Sequence, residues 1–205
     1  LSVEIREKMK FLNSMDPFDR VMSCKKNEGR KLAQNARIES FLIEHPELRG
    51  LPNVFSTPRN KQRGIIREGT KCLERAFAFG RENFDPEKID ENFIKGISYR
   101  VAPELYSGKI SGYRNSGVMI TGARVLPPDP YRVREVEMPS FVNQLREILK
   151  NEDVINRMET AIHAHLHLVR IHPFIDGNGR TARILQDVIL DGNGFPSPII
   201  YVGER

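Results

Sequence analysis

The sequence has few cysteines and no long apolar run. Its two cysteines, Cys24 and Cys72, match neither a disulfide framework nor a C-x-x-C metal or redox motif, so we expect two reduced thiols and no structural zinc. No segment approaches the roughly 18 consecutive apolar residues of a membrane-spanning helix, and residues 1–10 lack the apolar core of a signal peptide. These absences predict a globular, cytoplasmic chain with no membrane partner.

The charge balance favours an anionic partner without identifying it. Lys and Arg number 32 against 27 Asp and Glu, a net charge of +5. One local basic feature repeats every fourth residue: Arg59, Arg63, Arg67, Lys71 and Arg75. On a helix this spacing gives a basic stripe, which is more often a solvated face than a nucleic-acid interface, and Gln62 is its one candidate for reading bases. Nucleic acid is therefore an unlikely partner, and a regulatory DNA- or RNA-binding module built on this basic stripe is the alternative function.

The spacing of apolar residues predicts a mostly α-helical chain. Apolar residues recur at three- and four-residue steps in six segments: 33–44, 65–79, 89–97, 138–149, 154–169 and 180–190. Asp85 and Pro86 form a start signal ahead of the third segment, and residues 191–194 end the last one. Between these helices, residues 113–126 alternate short β-prone runs with turn residues, which predicts a small β-hairpin whose edge can pair with another chain.

The densest group of chemically useful residues lies at the junction of two predicted helices. Gly177 and Gly179 allow backbone N–H groups to approach a phosphate closely, and the following helix N-terminus adds partial positive charge. Arg180 and Arg183 lie on one side of the first turns of that helix. Two cations near the positive N-terminal end of a helix are electrostatically unfavourable, and a bound anion would offset this cost. The pattern predicts a site for a phosphate-bearing ligand.

Two further residues of this junction suit chemistry on such a ligand. Asp176 is placed to hold a Mg²⁺ that bridges phosphate oxygens, since magnesium is typically bound by one or two carboxylates plus the substrate. His172 can take the proton from an incoming hydroxyl. His163 and His167 are spaced four residues apart and could face a metal, but no third ligand is evident, so they are interpreted as polar helix positions. His165 is interpreted as a structural residue or one that supports the site indirectly.

Two other phosphate-binding motifs are excluded. Gly177-x-Gly179-x-x-Ala182 matches the dinucleotide fingerprint, but the preceding segments are helical and not the βαβ units that this fingerprint requires. A Walker P-loop fails because Arg180 follows Gly179 in place of Lys and Ser/Thr.

Residues 172–183, His-Pro-Phe-Ile-Asp-Gly-Asn-Gly-Arg-Thr-Ala-Arg, resemble the full active-site motif of Fic-domain proteins, HPFx[DE]GNGRxxR. The resemblance extends over residues 84 to 200. We therefore predict an N-terminal helical extension over residues 1–83 and a Fic core over residues 84–205. The resemblance implies an all-α, Fic-type helical bundle with a small β-hairpin flap. It also implies a protein adenylyltransferase, which moves AMP from ATP to a Ser, Thr or Tyr hydroxyl of a target protein.

Carried over by position, the resemblance implies a role for each motif residue. His172 corresponds to the general base and Asp176 to the Mg²⁺ ligand. Arg180 and Arg183 correspond to the arginines that bind the triphosphate of the ATP substrate. The anion hole corresponds to Gly177, Asn178 and Gly179, and the flap that aligns the target protein corresponds to Val118, Met119, Ile120, Thr121 and Gly122.

Self-inhibition is a further implication of the resemblance. Many Fic proteins carry a helix marked [ST]-x-x-x-E-[GN], whose glutamate pairs with the second motif arginine, here Arg183. The nearest match begins at Ser40 and makes Glu44 the inhibitory residue, although His45 stands where Gly or Asn is expected. Glu28, with Cys24 at the Ser/Thr position, is the weaker second candidate.

The sequence leaves several alternatives open. Asp187 stands where many Fic proteins have Asn, which leaves the choice of nucleotide undecided. Removal of AMP, or transfer of another nucleotide or of phosphocholine, uses the same motif. The inhibitor can also be a separate chain, and a homodimer is a further alternative.

Overall fold

The computed structural model describes residues 37, 38, 40–45, 59–106, 112–120, 126–150 and 154–195. Within them lie five main helices, α1 to α5: Arg59–Asn83, Glu91–Val101, Met138–Leu149, Val154–Ile171 and Asn178–Asp191. Residues 37, 38 and 40–44 are also helical, and we call residues 37, 38 and 40–45 the N-terminal segment. The six segments of helical period therefore all contain helix, which confirms the mostly α-helical prediction.

The start of α2 differs from the sequence prediction. Asp90 caps this helix, because its side chain accepts a hydrogen bond from Phe93 N at 2.8 Å. Asp85 instead closes a turn, in which its carbonyl oxygen accepts hydrogen bonds from Lys88 N and Ile89 N, both at 3.0 Å. The predicted start signal at Asp85 and Pro86 is therefore wrong, because the helix begins after Asp90.

The helix that ends at Leu149 also begins earlier than its apolar period indicates. A helical turn at Pro130–Arg132 continues through a π-helical stretch, Val133–Glu137, into α3. Asp129 caps this run by accepting a hydrogen bond from Arg132 N at 3.0 Å, and Pro130 follows in the first helical position. An Asp-Pro pair thus starts this helix, in the way the sequence had predicted for α2.

The core forms around α5, which packs against α1, α2 and α4. Its apolar face, which includes Leu185 and Ile189, is buried, as are facing side chains of the neighbouring helices, among them Leu73, Ile94 and Leu168. Each such side chain contributes roughly 1.5–3 kcal/mol by leaving water. Because α5 is packed in the core, its first turn has a fixed position, and so do the residues on either side of Gly177.

The predicted hairpin falls only partly within the described structure. Residues 112–120 contain no strand, and residues 121–125, which include Thr121 and Gly122, lie outside the described residues. The hairpin therefore stays a prediction, as does the division of the chain at residue 84. None of the described helices is long and apolar enough to cross a lipid bilayer.

Candidate active site

The loop between α4 and α5 is anchored by one aromatic and one amide side chain. Phe174 is fully buried, and its ring centroid lies 5.7 Å from that of Tyr113. The Asn178 side chain accepts a hydrogen bond from Phe174 N at 2.8 Å and donates one to Phe174 O at 2.9 Å. Since both ends of this amide are engaged, Asn178 closes the loop, and only its backbone N–H remains suited to an anion.

Gly177 sets the direction in which α5 begins. Its φ of 72° lies in the left-handed region, which favours glycine, and a Cβ here would lie 3.2 Å from Val101 Cγ1. The first intrahelical hydrogen bond runs from Thr181 N to Gly177 O at 2.8 Å. The N–H groups of residues 178 to 180 precede that bond and have no acceptor within the helix, so they are suited to an anion.

His172 is held in an unusual backbone conformation directly after α4. Its φ is 52°, a left-handed value that is uncommon outside glycine. The ring Nδ1 lies 3.3 Å from Val169 O. A proton on Nδ1 that is donated to this carbonyl leaves Nε2 free to accept a proton.

The electrostatic environment favours neutral His172. Burial lowers its pKa from the usual 6.5, the hydrogen bond to Val169 O raises it, and the Arg114 charge lowers it further. Glu44 and Asp176 act in the opposite direction to Arg114. The net effect is a lowered pKa, so the imidazole is an uncharged base at neutral pH.

Asp176 fits the Mg²⁺ that the resemblance implies. One of its carboxylate oxygens accepts a hydrogen bond from Gly177 N at 2.6 Å, the other lies 3.4 Å from Arg180 Nη2, and the side chain is 63% exposed. Among the residues that the structure describes, no group of three or more His, Cys, Asp or Glu side chains is arranged to hold a metal. A single open carboxylate suits a magnesium ion that takes its other ligands from phosphates and water.

The two motif arginines are bridged by one carboxylate. Arg183 donates from Nη2 to Glu44 Oε1 at 2.8 Å, and Arg180 donates from Nε to Glu44 Oε2 at 3.0 Å. Arg183 also donates from Nε to Ser40 Oγ at 2.8 Å. The Glu44 carboxylate lies above Gly179, where an added Cβ would be 2.3 Å from Oε1. The anion site thus holds the protein's own carboxylate.

Two contacts dock the N-terminal segment on the core. The Phe41 ring lies against the backbone of α1 at Gly69, where an added Cβ would be 2.0 Å from Phe41 Cε2. Arg37 forms a buried ion pair with Asp187, and its guanidinium carbon lies 4.3 Å from the centroid of the Phe77 ring. Asp187 therefore has a structural partner in this segment, which accounts for an acidic residue at this position.

Sequence reasoning missed Arg37 and Arg114, both of which are buried. Arg37 had one indirect signal, the acidic Asp187 in place of Asn. Arg114 had none, because it donates to backbone carbonyls, which every residue carries. Glu28 and Cys24 lie outside the described residues.

His165 and His167 make ordinary packing contacts, and His163 is exposed. His165 Nδ1 lies 2.6 Å from Gln186 Oε1, and the His167 ring meets Phe141 edge-on at 5.3 Å between centroids. Burial lowers the pKa of both histidines. These contacts agree with their interpretation as structural or polar positions.

The basic stripe is exposed where its side chains are described. Arg67, Lys71 and Arg75 lie on the solvent side of α1, and Lys71 pairs with Glu68 at 2.8 Å. This agrees with a solvated face. Of the predicted flap residues, Val118 and Ile120 are half-buried and Met119 is 82% exposed.

Comparison of the sequence with known proteins identifies the family of this chain. The model of the Fic/DOC family matches residues 88–190, just over half of the sequence, and the chain therefore belongs to this family. It is 36% identical over 119 residues to the protein adenylyltransferase Fic of Nematostella vectensis, covering 58% of this chain and 27% of that relative. It is 42% identical over 84 residues to a probable protein adenylyltransferase of Aquifex aeolicus, covering 41% of this chain and 25% of that relative. The chain thus spans about a quarter of the length of these relatives.

Solved structures support the same fold. IbpAFic2 covalently tethered to Cdc42 matches with a TM-score of 0.60 and 20% identity, over 84% of this chain and 51% of that one. Fic-1 of C. elegans matches with a TM-score of 0.60 and 20% identity, over 96% of this chain and 58% of that one. The all-α Fic fold predicted from the sequence is confirmed.

Proposed function

We propose that this chain is the catalytic core of a protein adenylyltransferase, which transfers AMP from ATP to a hydroxyl of another protein. The observation that carries the proposal is the site at the start of α5. There a neutral imidazole, an exposed carboxylate, backbone N–H groups that have no acceptor within the helix, and two arginines converge within residues 172–183. The names of the relatives, protein adenylyltransferases, support the same activity.

The proposed nucleotide site uses this chain's cations and backbone. Arg180 and Arg183 would bind the terminal phosphates of ATP once Glu44 leaves them, because guanidinium groups bind phosphate and carboxylate in similar geometries. The backbone N–H groups at the start of α5, residues 178 to 180, would bind a neighbouring phosphate. Asp176 would hold a Mg²⁺, which when bound would neutralise charge on the phosphate oxygens.

His172 is the proposed general base. Its neutral imidazole takes the proton of the acceptor hydroxyl while that oxygen forms a bond to the α-phosphorus of ATP. The bond between the α-phosphorus and the bridging oxygen breaks, and pyrophosphate leaves with the electron pair. The products are an AMP ester on the acceptor protein and pyrophosphate.

Residues 118–122 are proposed to align the acceptor. An extended flap beside the base would pair with the backbone of the target and bring its hydroxyl to His172. Met119, in the described part of this segment, has an exposed side chain. The Cdc42 tethered to IbpAFic2 supports a protein acceptor.

Glu44 is proposed to inhibit this reaction in the chain itself. Its carboxylate occupies both arginines and would repel the γ-phosphate of ATP. ATP could then bind only after the N-terminal segment has moved, or in a pose in which the α-phosphate is misplaced.

Incubation with Mg²⁺ and ATP followed by mass spectrometry tests the proposed reaction. Wild type and Glu44→Gly are compared, each alone and with a cell lysate, and Glu44→Gly should add the mass of AMP to itself or to a lysate protein. Parallel samples with CTP, GTP and CDP-choline distinguish other transferred groups. A gain of phosphate alone, or no modification with any donor, would exclude adenylyl transfer.

Gly69→Ala should raise AMP transfer roughly threefold to tenfold with the Glu44 carboxylate unchanged. The added Cβ would displace the Phe41 ring, which lies 2.0 Å away, and weaken the docking of the N-terminal segment. Gly64→Ala is the matched control on the same helix, because a Cβ there meets nothing within 4 Å. The control should leave the rate unchanged and raise the free energy of unfolding by up to about 1 kcal/mol. Equal rates in the two variants would contradict this account of docking.

A further inference from the structure

Arg114 is a buried arginine whose guanidinium donates hydrogen bonds to three backbone carbonyls. It is 3% exposed. Nε donates to His172 O at 2.7 Å, Nη1 donates to Ser116 O at 2.9 Å, and Nη2 donates to Pro128 O. Its own backbone N–H donates to Pro173 O at 2.9 Å. One guanidinium thus joins three separate parts of the chain.

The position is energetically expensive for a cation. Burial disfavours the charged form and lowers the pKa of Arg114, and the nearby Asp129 offsets this in part. Three charge-assisted hydrogen bonds to carbonyls compensate for lost hydration. A lysine could not reproduce them, because its single ammonium lacks the planar fork that reaches several acceptors at once.

The first carbonyl belongs to the proposed general base. A left-handed φ of 52° is strained for a histidine and persists only where the surroundings hold it. His172 N donates to Leu168 O at 3.0 Å, and Arg114 holds the carbonyl at the other end of the same residue. The contact therefore helps to fix the backbone from which the imidazole projects.

The other two carbonyls lie at the ends of the predicted flap. Ser116 comes two residues before Val118, and Pro128 follows the flap in sequence and precedes the helix that begins at Pro130. Arg114 binds both. The backbone of the base and the two ends of the proposed target-aligning segment therefore share one anchor.

We propose that Arg114 is a positioning residue that sets His172 and the flap relative to each other, so that the base meets the acceptor hydroxyl. The proposal rests on the function proposed above. It assigns Arg114 to the acceptor side of the reaction, whereas Arg180 and Arg183 belong to the nucleotide side. Its loss should therefore impair transfer without weakening the binding of ATP.

The test compares Arg114→Lys and Arg114→Gln, each in the Glu44→Gly background. Lys keeps the charge, and Gln keeps a planar N–H donor, so one variant remains informative if the other does not fold. Arg146→Lys is the matched control, because Arg146 also anchors backbone, donating from Nε and Nη2 to Ile89 O at 3.1 and 2.6 Å. Three quantities are measured: the single-turnover rate of AMP transfer at saturating ATP, the Kd of Mg-ATP, and the ¹⁵N NMR signals of the His172 imidazole.

Both Arg114 variants should lower the transfer rate at least about tenfold and leave the Kd of Mg-ATP within about twofold. The His172 signals should shift away from the Nδ1-protonated form, and Arg146→Lys should change none of the three quantities. A rate within about twofold of the parent, or a parallel loss of Mg-ATP affinity, would overturn the proposal. If the Glu44→Gly parent transfers no AMP, the proposed function fails, and the NMR signals of His172 alone test the positioning role of Arg114. Unchanged signals in the Arg114 variants would overturn that role, and altered signals would support it.

Discussion

His172→Ala should lower the rate of AMP transfer by about 10²- to 10⁴-fold, the usual contribution of a general base. The affinity for Mg-ATP should change by less than about twofold, because the imidazole acts on the acceptor hydroxyl and makes no proposed contact with the phosphates. Single-turnover transfer of labelled AMP gives the rate, and titration calorimetry gives the affinity. Both are measured in the Glu44→Gly background, in which the arginines are open to nucleotide.

Two further variants separate the base from the phosphate site. Arg180→Ala should weaken Mg-ATP binding, since it removes a proposed phosphate ligand. His163→Ala is the matched control, because His163 is an exposed histidine on α4 outside the site. Equal losses of Mg-ATP affinity in His172→Ala and Arg180→Ala would contradict this division of roles.

The pH profile gives the same assignment an independent test. Only the neutral imidazole accepts a proton, so the rate should fall as the pH decreases through the lowered pKa of His172, below 6.5. Because Glu44 raises this pKa, Glu44→Gly should move the acid limb of the profile to still lower pH. A limb that lies above pH 6.5, or moves upward in Glu44→Gly, would contradict the assignment.

The parts of the structure that follow from local sequence were predictable. Helical period located α3 and its end at Leu149, although the helical run begins earlier, at Pro130. The motif from His172 to Arg183 is continuous, so its residues meet in space by short-range geometry. The start of α2 was less predictable, because Asp85 and Asp90 can both act as N-caps and the choice between them depends on the turn that precedes the helix. Local signals predict that a helix exists better than where it begins.

The parts that depend on distant partners were not predictable in the same way. Arg37 meets Asp187 across 150 residues of sequence, and Arg114 meets His172 across 58. Neither pairing follows a local period. Asn178 shows a different case, because its side-chain amide closes the loop around Phe174, while its place in the anion hole stays a prediction that concerns its backbone N–H. A polar residue within a motif can thus serve the shape of the site and leave ligand contact to the backbone.

The docking of the N-terminal segment was predictable in part, because it depends both on a local motif and on a distant partner. Its motif, from Ser40 to Glu44, was visible in the sequence, and the structure brings both residues to Arg183. The contact of the Phe41 ring with Gly69 could not be read from the sequence, because the sequence does not show what packs against a glycine within a helix. The inhibitory role proposed for Glu44 therefore rests on a contact that the sequence suggested and on a fit that only the fold reveals.

Glu44→Gly should raise the rate of AMP transfer by about tenfold or more, within the 5- to 150-fold range of typical coupling between two sites. The Glu44 carboxylate is bound to both arginines at hydrogen-bond distance and is 22% exposed on its side chain. Removing it takes the shared carboxylate from two nearly buried cations, Arg180 and Arg183, which destabilises the ATP-free protein. Mg-ATP can then supply the missing negative charge, so the rise in Tm on adding Mg-ATP should be larger in Glu44→Gly than in wild type.

Glu44→Gln and Glu74→Gly complete this experiment. Gln keeps the hydrogen-bond acceptor and loses the charge, so its rate should lie between those of wild type and Glu44→Gly. Glu74 is exposed on α1, away from the arginines, and its replacement by Gly should cost about 1 kcal/mol of helix stability with no change in rate. If wild type is already as fast as Glu44→Gly, Glu44 does not inhibit, and its contact with Arg180 and Arg183 serves only to hold the N-terminal segment on the core.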